Sequence, residues 1–63
     1  MLIRLTSGST GKTISRNPVE FSSMDDVADD KHPDTRTVIR YADPKRYDYV
    51  RETQDEIWNM LSR

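Results

Sequence analysis

The chain contains no cysteine and a single histidine among its 63 residues. A disulfide framework is therefore excluded, and zinc sites built from clustered Cys and His donors lose their ligands. Hydrophobic residues make up only 33% of the sequence, and no run approaches the ~20 apolar residues that cross a bilayer. The opening Met1-Leu2-Ile3-Arg4 lacks a basic region followed by an apolar stretch, as a secretory leader would require. These absences predict a cytoplasmic chain with no membrane span, no metal and no other cofactor. Residues 1–63 are expected to form one small domain, held by a single core or by association with another copy. Catalytic clefts usually lie between domains or inside folds of ~100 residues or more, so the length argues against an independent enzyme.

Charge is present in both signs, with 10 Lys and Arg against 11 Asp and Glu and a formal net charge of -1. That balance argues against binding a polyanion through bulk charge and leaves room for a local basic patch. The basic set is mostly arginine, at Arg4, Arg16, Arg36, Arg40, Arg46, Arg51 and Arg63. Arginine is the residue suited to bidentate contact with carboxylate or phosphate, and it is also ordinary solubilising surface.

Along the chain, residues 1–6 alternate, with Met1, Ile3 and Leu5 on one side, and predict an opening strand. Ser7-Gly8-Ser9-Thr10-Gly11 is a turn cluster in which both glycines can take positive φ, and residues 12–15 resume the extended pattern to make a hairpin. Asn17-Pro18 marks a corner. Residues 19–24 then suit a third strand, with a helix from Ser22 or Ser23 through Val27 as the rival reading. Residues 28–35 have almost nothing to bury and predict an exposed acidic loop. Thr37-Val38-Ile39-Arg40-Tyr41 is the clearest strand, Ala42-Asp43-Pro44-Lys45 a turn, and residues 47–51 the returning strand. Thr53-Gln54-Asp55-Glu56 fits a capping box, so a helix starts at Thr53 with Ile57, Trp58 and Leu61 on one stripe. The sum is an α+β unit: a small antiparallel β-sheet, or partly open barrel, of four to five strands with one C-terminal helix.

The opening strand ending in Leu5-Thr6, Gly11-Lys12, Asn17, Pro33-Asp34-Thr35 before a strand, and Val50-Arg51-Glu52-Thr53 leading into the helix occur in one order. In that order they resemble the FlbD/SwrD family of small bacterial flagellar and swarming-motility proteins. Residues 22–32 look like an insertion relative to that family, and Asp43-Pro44 stands where its hairpin has Asn-Gly or Gly-Lys. Similar short proteins occur in bacteriophage genomes, so the resemblance covers a cellular or a phage-encoded member. It implies a non-catalytic regulator that acts by binding a protein partner.

Several residues invite sharper readings. Gly11-Lys12-Thr13 matches the end of a phosphate-binding loop, but Thr6 stands where the pattern needs its first glycine and Pro18 interrupts any following helix. A plain hairpin turn is the better reading. Asp25, Asp26, Asp29, Asp30 and Asp34 lack the glycine and terminal glutamate of a calcium loop, which leaves a solvated acidic loop or a docking site for a basic partner. His32 reads as a loop residue beside Pro33. Arg40, Tyr41, Lys45, Arg46, Tyr47, Tyr49 and Arg51 share one predicted hairpin, and alternation places several on a common outer face. Such a face could hold a protein partner, or single-stranded nucleic acid by phosphate contact and stacking. The blander reading has the tyrosines packing the sheet while the arginines pair with Asp43, Asp48 and Glu52. Trp58 and Met60 are either core or a partner-binding stripe. The partner surface expected is therefore Arg40, Tyr41, Arg46, Tyr47, Tyr49, Arg51 and Trp58, with residues 1–6 or 47–51 as edges through which two copies could pair.

Overall fold

The computed structural model describes residues 1–27 and 33–62. The first strand, β1 (Ile3–Thr6), pairs antiparallel with β2 (Thr13–Arg16), and Ile3 and Leu5 are buried on its inner side. Pairing begins at Ile3 rather than at Met1, and Met1 and Leu2 stay exposed. The cause lies across the ladder. Ile3 faces Arg16, and the next residue, Asn17, turns away to cap a single 3-10 turn at Pro18–Glu20, accepting a hydrogen bond from the Val19 amide at 3.1 Å.

The hairpin between β1 and β2 is closed by the Ser7 amide donating to the Lys12 carbonyl and the Gly11 amide to the Ser7 carbonyl, both at 2.9 Å. Of the turn's glycines only Gly11 has positive φ, at 73°. Gly8 is needed for space: a Cβ there would stand 2.3 Å from the Thr35 hydroxyl. Thr35 is accordingly buried, so the predicted loop, whose residues 28–32 lie outside the described ones, ends in a packed residue instead of staying exposed to its end.

The third strand, β3 (Phe21–Asp26), starts two residues later than the alternation predicts, because Val19 and Glu20 belong to the 3-10 turn; the rival helix does not form. Its register on β4 (Thr37–Tyr41) slips between Phe21 and Ser23, a bulge that absorbs Ser22. The bulge resets the alternation. Phe21 and Met24, three positions apart and on opposite faces of an ideal strand, both pack against the core. Asp25 and Asp26, expected in an acidic loop, are strand residues facing Val38 and Thr37.

Central in its three-stranded sheet, β4 buries Thr37, Val38, Ile39 and Tyr41 and exposes only Arg40. The turn to β5 (Tyr47–Val50) is shifted by one residue from Ala42 to Asp43: the Arg46 amide donates to the Asp43 carbonyl at 2.9 Å, which puts Pro44 at the second position its fixed φ suits. Asp43 also accepts from the Lys45 amide through its side chain at 2.9 Å.

The sheets, one of β1–β2 and one in the order β3–β4–β5, meet where Ser7 bridges Val50, with the Gly8 amide on the Tyr49 carbonyl at 2.8 Å and the Arg51 amide on the Thr6 carbonyl at 2.9 Å. They remain open sheets and do not close into a barrel. β1 and β2 are the edges of the first sheet and β3 and β5 those of the second, with β5 joined to the segment after β1 at the Ser7–Val50 bridge. Glu52 secures the junction, its carboxylate accepting from the Thr6 amide and hydroxyl at 2.8 Å each, while its carbonyl accepts from the Thr37 hydroxyl at 2.8 Å. Between the sheets lies the core of Ile3, Leu5, Ile39, Tyr41, Val50 and Ile57.

The helix, α1 (Gln54–Leu61), begins as its sequence requires: the Glu56 amide donates to the Thr53 hydroxyl at 3.2 Å and the Thr53 amide to the Glu56 carboxylate at 3.1 Å. Eight residues are too few for a helix to persist alone, so α1 depends on the apolar side chains it lays over the core. Ile57 is fully buried, Met60 and Leu61 pack beside it, and Trp58 faces water. No helix of the described residues is long and apolar enough to cross a membrane.

Candidate functional site

Strand pairing divides the proposed hairpin residues between two faces. Arg40 faces Tyr47 across the β4–β5 ladder and Val38 faces Tyr49, so Arg40, Tyr47 and Tyr49 share the outer face of the sheet. The two tyrosine rings meet edge to face, with centroids 5.4 Å apart; Tyr47 is exposed and Tyr49 half-buried. Arg40 donates to the Asp25 carboxylate at 3.4 Å, and Arg51, from beyond β5, lies 3.8 Å from Asp34 and donates to the Gly8 carbonyl. Arg40 and Arg51 thus pair with acids from other segments, while Arg46 acts electrostatically on Asp48 of its own hairpin. Lys45 is exposed at the turn.

Tyr41 is on the opposite face and belongs to the core, 6% exposed. Its hydroxyl donates to Asp48 in a short hydrogen bond, and its ring stands edge-on to Phe21 at 5.8 Å. Arg16 of β2 completes the group, its Nε donating to Asp48 at 2.9 Å. Burial pushes the Asp48 carboxyl upward, but hydrogen bonds from Arg16 and Tyr41 outweigh it and hold the group below the usual aspartate range. Burial, reinforced by the bond to Asp48, pushes Tyr41 up to about 12. The bond to Asp48 likewise raises Arg16. With the carboxylate matched by a guanidinium and the phenol held neutral, this group supplies neither a base nor a nucleophile near neutral pH. It ties β2, β4 and β5 together.

Trp58 leads to a different kind of surface. It is 56% exposed and stands over a groove of about 350 Å³ whose walls include Pro18, Phe21, Met24 and Leu61. Each wall has a local cause. Asn17 caps the turn that presents Pro18, the bulge brings Phe21 and Met24 to one side, and the capping box aims α1 so that Leu61 packs inward while Trp58 flanks it. Val19, 87% exposed, lines an adjoining depression with Phe21 and Arg46. The guanidinium of Arg46 lies over the Tyr41 ring, 4.6 Å from its centroid.

Of the predicted surface residues, Arg40, Tyr47 and Tyr49 therefore share one face, Trp58 borders the groove, Arg46 lines the depression beside Val19, Tyr41 is internal and Arg51 covers the β1–β2 turn. Asp26 accepts from the Gln54 side chain at 2.8 Å, linking β3 to α1. Asp29, Asp30 and His32 lie outside the described residues. Among the described residues no group of three or more His, Cys, Asp or Glu side chains is placed to hold a metal ion. Pro18, Phe21, Met24 and Leu61 were not singled out by sequence as surface lining, because an apolar residue that is half-buried carries the same pattern as one fully buried. The available signal was Asn17-Pro18 ahead of an aromatic residue. No family model, curated protein or solved structure matches the chain, so the functional reading rests on this geometry.

Proposed function

We propose that the chain is a non-catalytic binding module that holds a short apolar segment of a partner protein in the groove between the Pro18–Glu20 turn, the start of β3 and α1. The observation that carries this reading is Trp58, left more than half exposed at 56% beside half-buried Pro18, Phe21, Met24 and Leu61. Burying a tryptophan face and an apolar side chain together is the usual centre of a protein interface. Tryptophan adds contact area at low rotamer cost. The reading agrees in kind with the resemblance to FlbD/SwrD proteins, which implies a regulator working by occupancy of a bacterial partner.

The test is capture from nuclease-treated bacterial lysate by the wild type and by Trp58→Ala, with binding then measured on the purified partner. Loss of about tenfold or more in affinity is expected from removing a hot-spot tryptophan. Equal affinity of the two proteins would exclude the groove.

Nucleic-acid binding is the second reading, favoured by exposed Tyr47 lying on the same face as Arg40. Asp25 and Asp34 beside Arg40 and Arg51 weigh against it. Affinity falling steeply with salt would mark that mode, because phosphate contacts release counterions.

A further inference from the structure

We infer that the partner segment binds as an added β-strand, paired antiparallel with the outer edge of β3 and carrying a lysine or arginine two residues before the apolar side chain that enters the groove. This rests on the groove reading above and names the backbone form and charge of its occupant.

The free edge follows from the hydrogen-bond alternation of an antiparallel ladder. The Tyr41 amide donates to the Arg46 carbonyl, so Tyr41, Ile39 and Thr37 direct their backbone groups to β5, while Arg40 and Val38 direct theirs to β3. Ser23 and Asp25 face Arg40 and Val38 in that ladder, and the Val27 amide continues it on the Arg36 carbonyl at 2.9 Å. Met24 and Asp26 therefore turn their amides and carbonyls outward, on the side of β3 where no described strand pairs. Beside this edge lies the groove of Pro18, Phe21, Met24, Trp58 and Leu61. An added strand lies about 4.8 Å from β3, and its residue facing Met24 points to the same inner face, toward Trp58 and Leu61. Main-chain bonds then supply affinity and the groove selects the side chain. A helix in the same place would cover the outward groups of Met24 and Asp26 without pairing them, which opposes binding.

Asp26 sets the charge of the neighbouring position. It lies two residues beyond Met24, on the same face, and lines a separate depression of about 400 Å³ with Thr53, Gln54 and Asp55. Its carboxylate accepts from the Gln54 amide, and neither Asp26 nor Asp55 forms an ion pair among the described residues. Arg40 is on the outer face, with Asp25. A cation facing Asp26 therefore meets two carboxylates with no matching charge in direct contact. Antiparallel pairing, the arrangement of the whole sheet, places that cation two residues before the apolar one. The β3 strand of a second copy, Phe-Ser-Ser-Met-Asp-Asp, supplies no cation, so the occupant is a different chain.

The experiment titrates the isotope-labelled full chain with octapeptides of serine and threonine that hold Lys-Thr-Leu, and with versions bearing Gln-Thr-Leu, Lys-Thr-Ser or the reversed Leu-Thr-Lys. Hydrogen exchange at the Met24 and Asp26 amides should slow on binding, while Ser23 and Asp25, already in the ladder, change little. N-methylation of the leucine amide, which faces Met24, should weaken binding about fivefold or more, and N-methylation of the intervening threonine should not. Lysine should exceed glutamine by about two- to fivefold, a preference that Asp55→Asn lessens, with its fold confirmed by circular dichroism. Leucine-dependent binding without protection of Met24 and Asp26, or without the alternating N-methyl pattern, would overturn strand addition and leave the groove standing. Equal binding of lysine and glutamine would overturn the cation, and equal binding of the reversed peptide the antiparallel register. A dimer by sedimentation with both amides protected in the absence of peptide would overturn the foreign strand in favour of a second copy. Binding indifferent to leucine, or none at millimolar peptide, would overturn the groove and the added strand together.

Discussion

Tyr41 and Trp58 are both large aromatic residues bordering the same small core, yet their surroundings differ in kind. Around Tyr41 the hydroxyl is bonded to Asp48, the ring is closed in by Phe21 and Arg46, and the carboxylate is shared with Arg16. Around Trp58 there is an open groove, with more than half of the residue in water. The first arrangement spends its polar and aromatic contacts within the molecule, so it contributes to stability and little to recognition. The second leaves apolar area in water, where it adds nothing to folding and is the area that the proposed partner segment would cover. In a core of so few side chains, a ring left outside is informative about function where a ring inside is informative about folding.

Substitutions can break this contrast. The largest effect is expected for Tyr41→Ala, which removes a buried ring and strips Asp48 and Arg46 of a neighbour; a loss of about 3–5 kcal/mol in urea unfolding is anticipated, enough to unfold much of so small a domain. A Trp58→Ala loss of that size would mean that the exposed tryptophan is a core residue after all. Next comes Asp48→Asn, which removes the charge that Arg16 and Tyr41 share; a loss of about 1–3 kcal/mol is expected, with binding to the partner unchanged.

The same pair sharpens the contrast through pH. Asp48 titrates below the ordinary aspartate value of about 3.9 when folded, so its contribution is complete above that value and is lost as the pH falls through the lower folded value. Tyr41 titrates at about 12 when folded against 10.0 ordinarily, so its contribution is complete below pH 10 and is lost as the pH rises toward 12. Unfolding midpoints measured across both limbs should lose most of the acid limb's slope near pH 4 in Asp48→Asn, and a slope identical to the wild type would refute the assignment. The smallest effect is expected for Tyr47→Ala, within about 0.5 kcal/mol, since its ring is exposed and touches Tyr49 only at the edge. Reduced partner affinity in Tyr47→Ala, with Trp58→Ala unaffected, would move the interface to the outer face of the sheet.

Elements whose signals are local were readable in advance. The capping box at Thr53 and Glu56 needs only residues three apart, and the β-branched run of β4 needs only its own composition. The proline at Pro44 announced its turn but not its register, which Arg46 decides by donating to Asp43. The bulge at Ser22 had no local signature, and it brings Phe21 and Met24 to one side because one inserted residue reverses every later side chain. For the same reason Tyr41 could not be separated from Tyr47 and Tyr49 until the strands were paired.

The chain's own order of residues determined an α+β unit with a capped C-terminal helix, two hairpins and a charge too balanced for bulk attraction to polyanions. Local propensity, turn chemistry and composition act over a few residues and need no partner across the molecule. Tertiary structure alone decided that Tyr41 would be enclosed with Asp48 and Arg16, that Gly8 would make room for Thr35, and that Pro18, Phe21, Met24 and Leu61 would meet beneath an exposed Trp58. Those outcomes depend on register and on which sheet meets which, and both are settled by how a few apolar side chains exclude water together.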